Sequence, residues 1–123
     1  MAKNPSLSSK GDFVELRKFG RRVSNKTTSL KYLKDPNTSI QSAEGVKVGI
    51  AIPKKFGNAV KRNLLRRQIK EIVRINVKAI CSGKYLISVY SHEKRGSFQA
   101  TENELLGLFA KAGCLFDSVN DRN

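Results

Sequence analysis

The chain has 123 residues, 39% of them apolar, and carries 24 Lys or Arg against 10 Asp or Glu, a formal net charge of +14. That length suits one domain with a modest core, and the charge favours a polyanionic partner, nucleic acid ahead of an anionic membrane surface. No window approaches 18 uninterrupted apolar residues and the N-terminus lacks the apolar stretch of a signal peptide, which excludes a membrane span and leads us to expect a cytoplasmic protein with no membrane partner.

Residues 1–7 read as a mobile leader. Ser9 followed by Asp12 forms a shortened capping box, Phe13, Leu16 and Arg17 share a helical face, and Gly20 supplies a stop. This pattern predicts a short helix over 9–19. The Val, Thr, Leu and Tyr content of 23–33 predicts one strand, ended by Asp35-Pro36-Asn37 and followed by a polar loop to Gly45. Val46, Val48, Ile50 and Ile52 alternate with Lys47, Gly49 and Ala51, the clearest period-two signal in the chain. The second face of that strand is expected to be flat and open. Pro53 closes it.

Asn58 is the expected N-cap of a long helix over 59–80. At 100° per residue, Leu65, Ile69, Ile72, Val73 and Ile80 form one apolar arc. Asn63, Arg67, Lys70 and Arg74 fall on the opposite side within an arc of about 60°. Arg62 and Arg66 lie nearer the apolar boundary, where an arginine can bury its stem and present its head. After a turn at Ser82-Gly83, alternation over 84–90 predicts a further strand, and Ser97 to Gln99 a brief edge strand. Thr101 and Glu104 read as a capping box before Leu105, Leu106, Leu108, Phe109 and Ala112, a helix that ends near Gly113. Cys114-Leu115-Phe116 is expected to turn back on the domain.

The order helix, strand, strand, helix, strand, helix contains no repeat. It predicts an α/β (α+β) sandwich, with a small mixed sheet and packed helices. The expected organisation is a single RNA-binding domain over 1–123, with flexible ends at 1–7 and 117–123.

Little in the chain suits independent catalysis. A side-chain nuclease needs clustered carboxylates or a histidine-based acid and base. The ten acids are dispersed, and Asp12 with Glu15 reads as a solvated capping pair. Glu102 and Glu104 read as first-turn acids favoured by the helix dipole. His92 is the only histidine and reads as a loop residue. Cys81 and Cys114 have no zinc spacing and read as buried or incidental thiols.

The basic segment has the stronger functional content. Between residues 54 and 78 there are nine Lys or Arg and one acid, Glu71, a local +8 within the total of +14. A solvated helix face would interleave acids for i to i+4 pairing, and this one has almost none. Gly57 and Asn58 precede the helix, where free backbone N–H groups can cradle an anion. A clamp on the phosphates and 2′-hydroxyls of A-form RNA needs such a surface and no base readout. A second surface is offered by the first helix and the open sheet face, where Phe13 near Lys31, Tyr32 and Lys47 suits a single strand. Spacing alone leaves Phe13 between core and stacking platform, with core favoured. The basic composition fits a structural ribosomal or assembly RNA-binding protein equally well.

The segment Lys55, Gly57, Ala59, Val60, Arg62, Asn63, Arg66, Arg67, Lys70, Glu71 resembles the signature of the protein subunit of bacterial ribonuclease P. That signature reads Lys-x-Gly-x-Ala-Val-x-Arg-Asn-x-x-Arg/Lys-Arg-x-x-Arg-Glu and opens the long helix. The resemblance extends over roughly residues 7 to 115, through the first helix with Phe13 and Gly20, the alternating valine strand and the strand at 84–90. It implies a protein subunit that assists a catalytic RNA in Mg2+-dependent endonucleolytic removal of the 5′ leader from precursor tRNA, with the chemistry and Mg2+ mainly on the RNA. Lys54, Lys55, Asn58, Lys61, Arg62, Asn63, Arg66, Arg67, Lys70 and Arg74 would then face the ribonuclease P RNA. Phe13, Arg17, Lys31 and Lys47 would line the leader cleft. The resemblance also implies a left-handed β-α-β crossover, against the usual rule. Lys70 stands where the family commonly has arginine, replacing a bidentate contact by a point charge. Arg17 takes a position that is often aromatic, and the strand around Lys31 is more polar than is usual.

Overall fold

The computed structural model describes residues 10–35, 45–90 and 98–115. Helix α1 (Lys10–Phe19) is followed by strands β1 (Arg21–Ser24), β2 (Thr28–Lys34) and β3 (Val46–Ala51), helix α2 (Ala59–Asn76), strand β4 (Gly83–Val89) and helix α3 (Phe98–Lys111). The sheet order is β1-β2-β4-β3. β1 with β2 and β2 with β4 are antiparallel, whereas β3 and β4 are parallel and joined through α2. The sheet is therefore mixed, and the β-α-β crossover is the unit that carries the basic helix.

The strand expected over 23–33 is a hairpin, with β1 and β2 paired from Arg21↔Tyr32 to Ser24↔Ser29. Asn25 causes the reversal. Its Oδ1 accepts the N–H groups of Thr27 and Thr28, each at 2.9 Å, and its own N–H donates to the Thr28 carbonyl at 2.9 Å. Such Asx geometry competes directly with strand continuation.

The two faces of the sheet have different tasks. Leu30, Val46, Val48, Tyr85, Ile87 and Val89 join Leu65, Ile69, Ile72 and Val73 of α2 and Leu105, Leu108 and Phe109 of α3 in one buried core. The Tyr85 and Phe109 rings meet edge-on at 5.1 Å. The alternate residues of β4 face α1: Lys84 Nζ lies 2.7 Å from Glu15 Oε1 and 3.8 Å from Asp12 Oδ1. Leu16 anchors α1 and is 1% exposed. The Gly20 N–H closes that helix on the Leu16 carbonyl at 2.8 Å, where a Cβ would stand only 2.3 Å from the same oxygen.

Two boundaries differ from the sequence reading. α2 ends at Asn76 and a short 3₁₀ turn, Val77–Ala79, delivers Ile80 to the core. α3 begins by Phe98, so Phe98 and Gln99 are helical rather than an edge strand, and Thr101 is interior rather than a cap. Thr101, Leu105, Leu108 and Phe109 are all buried. A stripe at i, i+4, i+7 and i+8 makes Thr101 the first core-facing residue of the helix. Gly113, at φ 73°, ends this region in the left-handed conformation that glycine accepts most easily. Beyond it, Ile80 and Leu115 form an antiparallel bridge, and the Cys81 N–H donates to the Cys114 carbonyl at 2.8 Å. The expected return of the chain is thus present as far as Leu115. The expectations for 1–7, Ser9, His92, Ser97, Phe116 and 117–123 lie outside the described residues.

Candidate nucleic-acid interface

The site is organised by the start of α2. Pro53 leads into a 3₁₀ turn at Lys54–Phe56, and Asn58 adopts the extended conformation of an N-cap. Its Oδ1 accepts the Lys61 N–H at 2.9 Å, satisfying one donor that the first helical turn leaves open. The Arg62 Nε donates to the Gly57 carbonyl at 3.2 Å, which ties one edge of its guanidinium to the loop. Loop and helix are locked together where the positive charge begins.

The expected division of α2 is present in the structure. Leu65, Ile69, Ile72 and Val73 are buried. Asn63, Arg67, Lys70 and Arg74 are exposed, as are Lys54, Lys55, Asn58 and Lys61. Arg62 and Arg66 are half-buried at the flank. Burying each of the four apolar side chains contributes roughly 1.5–3 kcal/mol of transfer free energy. That seam fixes the helix against the mutual repulsion of cations at Arg62, Arg66, Lys70 and Arg74, each four residues from the next. The stripe is interrupted at one place. Arg74 holds Glu71 in a two-point contact, Nε to Oε1 at 2.9 Å and Nη2 to Oε2 at 2.5 Å. This hydrogen-bonded pairing holds the Glu71 carboxyl below its ordinary range and the Arg74 guanidinium above its own. Arg74 is the stripe residue whose charge is locally offset.

The second expected surface is less uniform. Lys31 and Lys47 share the α1 face of the sheet but belong to β2 and β3, which are separated by β4. Two strand spacings make about 10 Å. Phe13 is half-buried and Arg17 exposed on α1. Lys47 lies 3.7 Å from Asp12. Gly49 is buried and Ala51 exposed, so the small-residue side of β3 is only partly open. Sequence reasoning missed Arg22, which pairs with Lys31 in the hairpin register and adds an exposed cation to the same face. The Ser-Asn pair at 24–25 was the available signal. It also missed Lys84, whose ammonium is raised above the ordinary lysine range chiefly by its hydrogen bond to Glu15, with burial opposing.

That contact bears on metal binding. Glu15 is engaged by Lys84, and Asp12 lies between Lys47 and Lys84, so the paired acids of α1 face ammonium groups. Among the described residues no three His, Cys, Asp or Glu side chains gather into a set suited to a metal ion. Asp12 and Glu15, facing ammonium groups, do not form a donor pair suited to Mg2+. Among the described residues, no helix is long and apolar enough to cross a membrane.

A mixed sheet carrying a capped, cationic helix on its crossover is a framework suited to an RNA-binding protein. The chain belongs to the ribonuclease P protein family, whose model, described as Ribonuclease P, matches residues 1–113. It is 33% identical over 113 residues to the ribonuclease P protein component of Clostridium botulinum strain Alaska E43, covering 89% of each chain. The fold is shared with a mutant of the Staphylococcus aureus RNase P protein, at TM-score 0.75 and 23% identity over 91% of this chain and 90% of that one. The RNase P protein from Thermotoga maritima is similar at TM-score 0.70 and 25% identity, over 86% and 96% of the two chains.

Proposed function

We propose that this chain is the protein subunit that holds ribonuclease P RNA and the 5′ leader of precursor tRNA, and so assists removal of the leader in the cytoplasm. The carrying observation is the exposed, nearly acid-free stripe on α2, set directly after a capped loop in a member of this family. Lys54, Lys55, Asn58, Lys61, Arg62, Asn63, Arg66, Arg67, Lys70 and Arg74 form the face toward the catalytic RNA. Phe13, Arg17, Lys31 and Lys47, with Arg22 beside them, form the face toward the leader.

The reading assigns positioning, not bond cleavage, to these residues. Arginine forks and lysine point charges neutralise phosphates and release counterions, so affinity falls steeply with salt. Arg62, tied to Gly57, presents a partly pre-oriented fork. Holding the catalytic RNA and the leader on opposite sides of one rigid sheet fixes the scissile bond relative to the RNA active site, a gain of proximity and orientation. Mg2+ on the RNA would supply the activated water and stabilise the leaving oxygen. RNA co-purifying with the protein tests the reading. Enrichment of ribonuclease P RNA and precursor tRNA is expected. Predominantly ribosomal RNA without ribonuclease P RNA would overturn it in favour of a structural ribosomal or assembly role.

A further inference from the structure

A cleft of about 570 Å³ opens beside the cationic stripe, between α2, β3 and the first turn of α3. It is separate from the α1 face of the sheet, because Val48 and Ile50 line it from the opposite face of β3. Leu64 and Phe98 extend the apolar lining and are 55% and 37% exposed. Arg67, Lys70 and Arg74 stand at its border. Among the described residues lining it, Glu71 is the one acid and is already held by Arg74. The border is thus net positive around an apolar floor.

We propose that this cleft receives a single unstacked nucleotide of the bound RNA, with its base on Phe98 and Leu64 and its phosphate toward Arg67 and Lys70. The inference rests on the RNA-binding reading of α2 and adds a base-binding site to it. Three observations select this occupant. The volume falls in the range of small-ligand clefts, about 300–1,000 Å³, whereas a docked peptide helix needs a longer groove with several anchors. An apolar floor with an aromatic side chain accepts the π-face of any base. The cations at the rim continue the stripe that faces phosphate, so one strand can be held along the helix and turn a base inward without crossing an acidic surface. Gln68 adds an amide at the same border, able to donate to or accept from a base edge.

The test uses the protein assembled with ribonuclease P RNA. Phe98→Ala and, separately, Leu64→Ala are expected to weaken binding, by roughly tenfold for Phe98→Ala, with the dependence on salt unchanged because no phosphate contact is removed. Phe98→Trp is expected to retain affinity. A benzophenone amino acid in place of Phe98 is expected to crosslink to one nucleotide. Wild-type affinity in both alanine variants, or crosslinks scattered over many nucleotides, would overturn the nucleotide site while leaving the stripe's role intact. Absence of wild-type binding to this RNA would overturn both. Leu64 is an exposed position on a helix where alanine is favoured, so its variant stays folded if Phe98→Ala does not.

Discussion

Glu71 and Arg74 form a two-point ion pair one helical turn apart, and this pair offsets a positive charge within the stripe of α2. Both groups are largely exposed, so the contact matters more for how much charge the helix presents than for folding. Glu71→Gln releases Arg74. RNA affinity is expected to rise at low salt, and the log–log salt slope to steepen by up to about 1, the value of one added phosphate contact. Filter binding across a salt series measures this, and an unchanged slope would show that Arg74 does not reach phosphate.

Asn58 serves both the fold and the charge of the site. Its side chain caps α2 through the Lys61 N–H, so Asn58→Ala is expected to cost about 1 kcal/mol of stability. Asn58→Asp keeps the capping oxygen but places a negative charge at the mouth of the stripe. The aspartate variant is expected to melt near the wild-type temperature and to bind RNA more weakly. Thermal melts and binding curves of the two variants separate the roles, and equal RNA affinity of wild type and Asn58→Asp would remove Asn58 from the interface.

The core is expected to weaken in alkali. Burial pushes the Cys114 thiol up to about 11 and raises the Tyr85 hydroxyl as well. Between about pH 9 and 11 the unfolded chain therefore releases protons that the folded chain keeps, and stability falls as pH rises. Cys114→Ala removes one of these groups. Its melting temperature is expected to start lower, from lost packing, but to decline less steeply across this window. Parallel slopes for variant and wild type would contradict the assignment to Cys114.

α2 was legible because three local signals agree along it: the Asn58 cap, a continuous apolar seam from Leu65 to Val73, and a charge stripe opposite that seam. The mixed α/β class followed from alternation in β3 and β4. The hairpin was hidden because Val23 and Leu30 both favour strand, while the reversal depends on one side chain, Asn25, bonding two particular N–H groups. Thr101 was misread for a related reason. A threonine before an apolar run has the composition of a cap, and only packing shows that it faces the core. The candidate site was legible as a set of exposed residue types but not as a balance of charges. The pairing of Asp12 and Glu15 with Lys84, and of Lys31 with Arg22, depends on strand neighbours distant in sequence.

On the proposed reading, the stripe on α2 positions ribonuclease P RNA and its substrate for leader removal. Cleavage of precursor tRNA by ribonuclease P RNA, at Mg2+ low enough to limit the RNA alone, tests it most directly. Wild-type protein is expected to stimulate release of the 5′ leader, and Arg62→Glu with Arg66→Glu to lose the stimulation while remaining folded. Equal cleavage rates with and without the wild-type protein would contradict the claim.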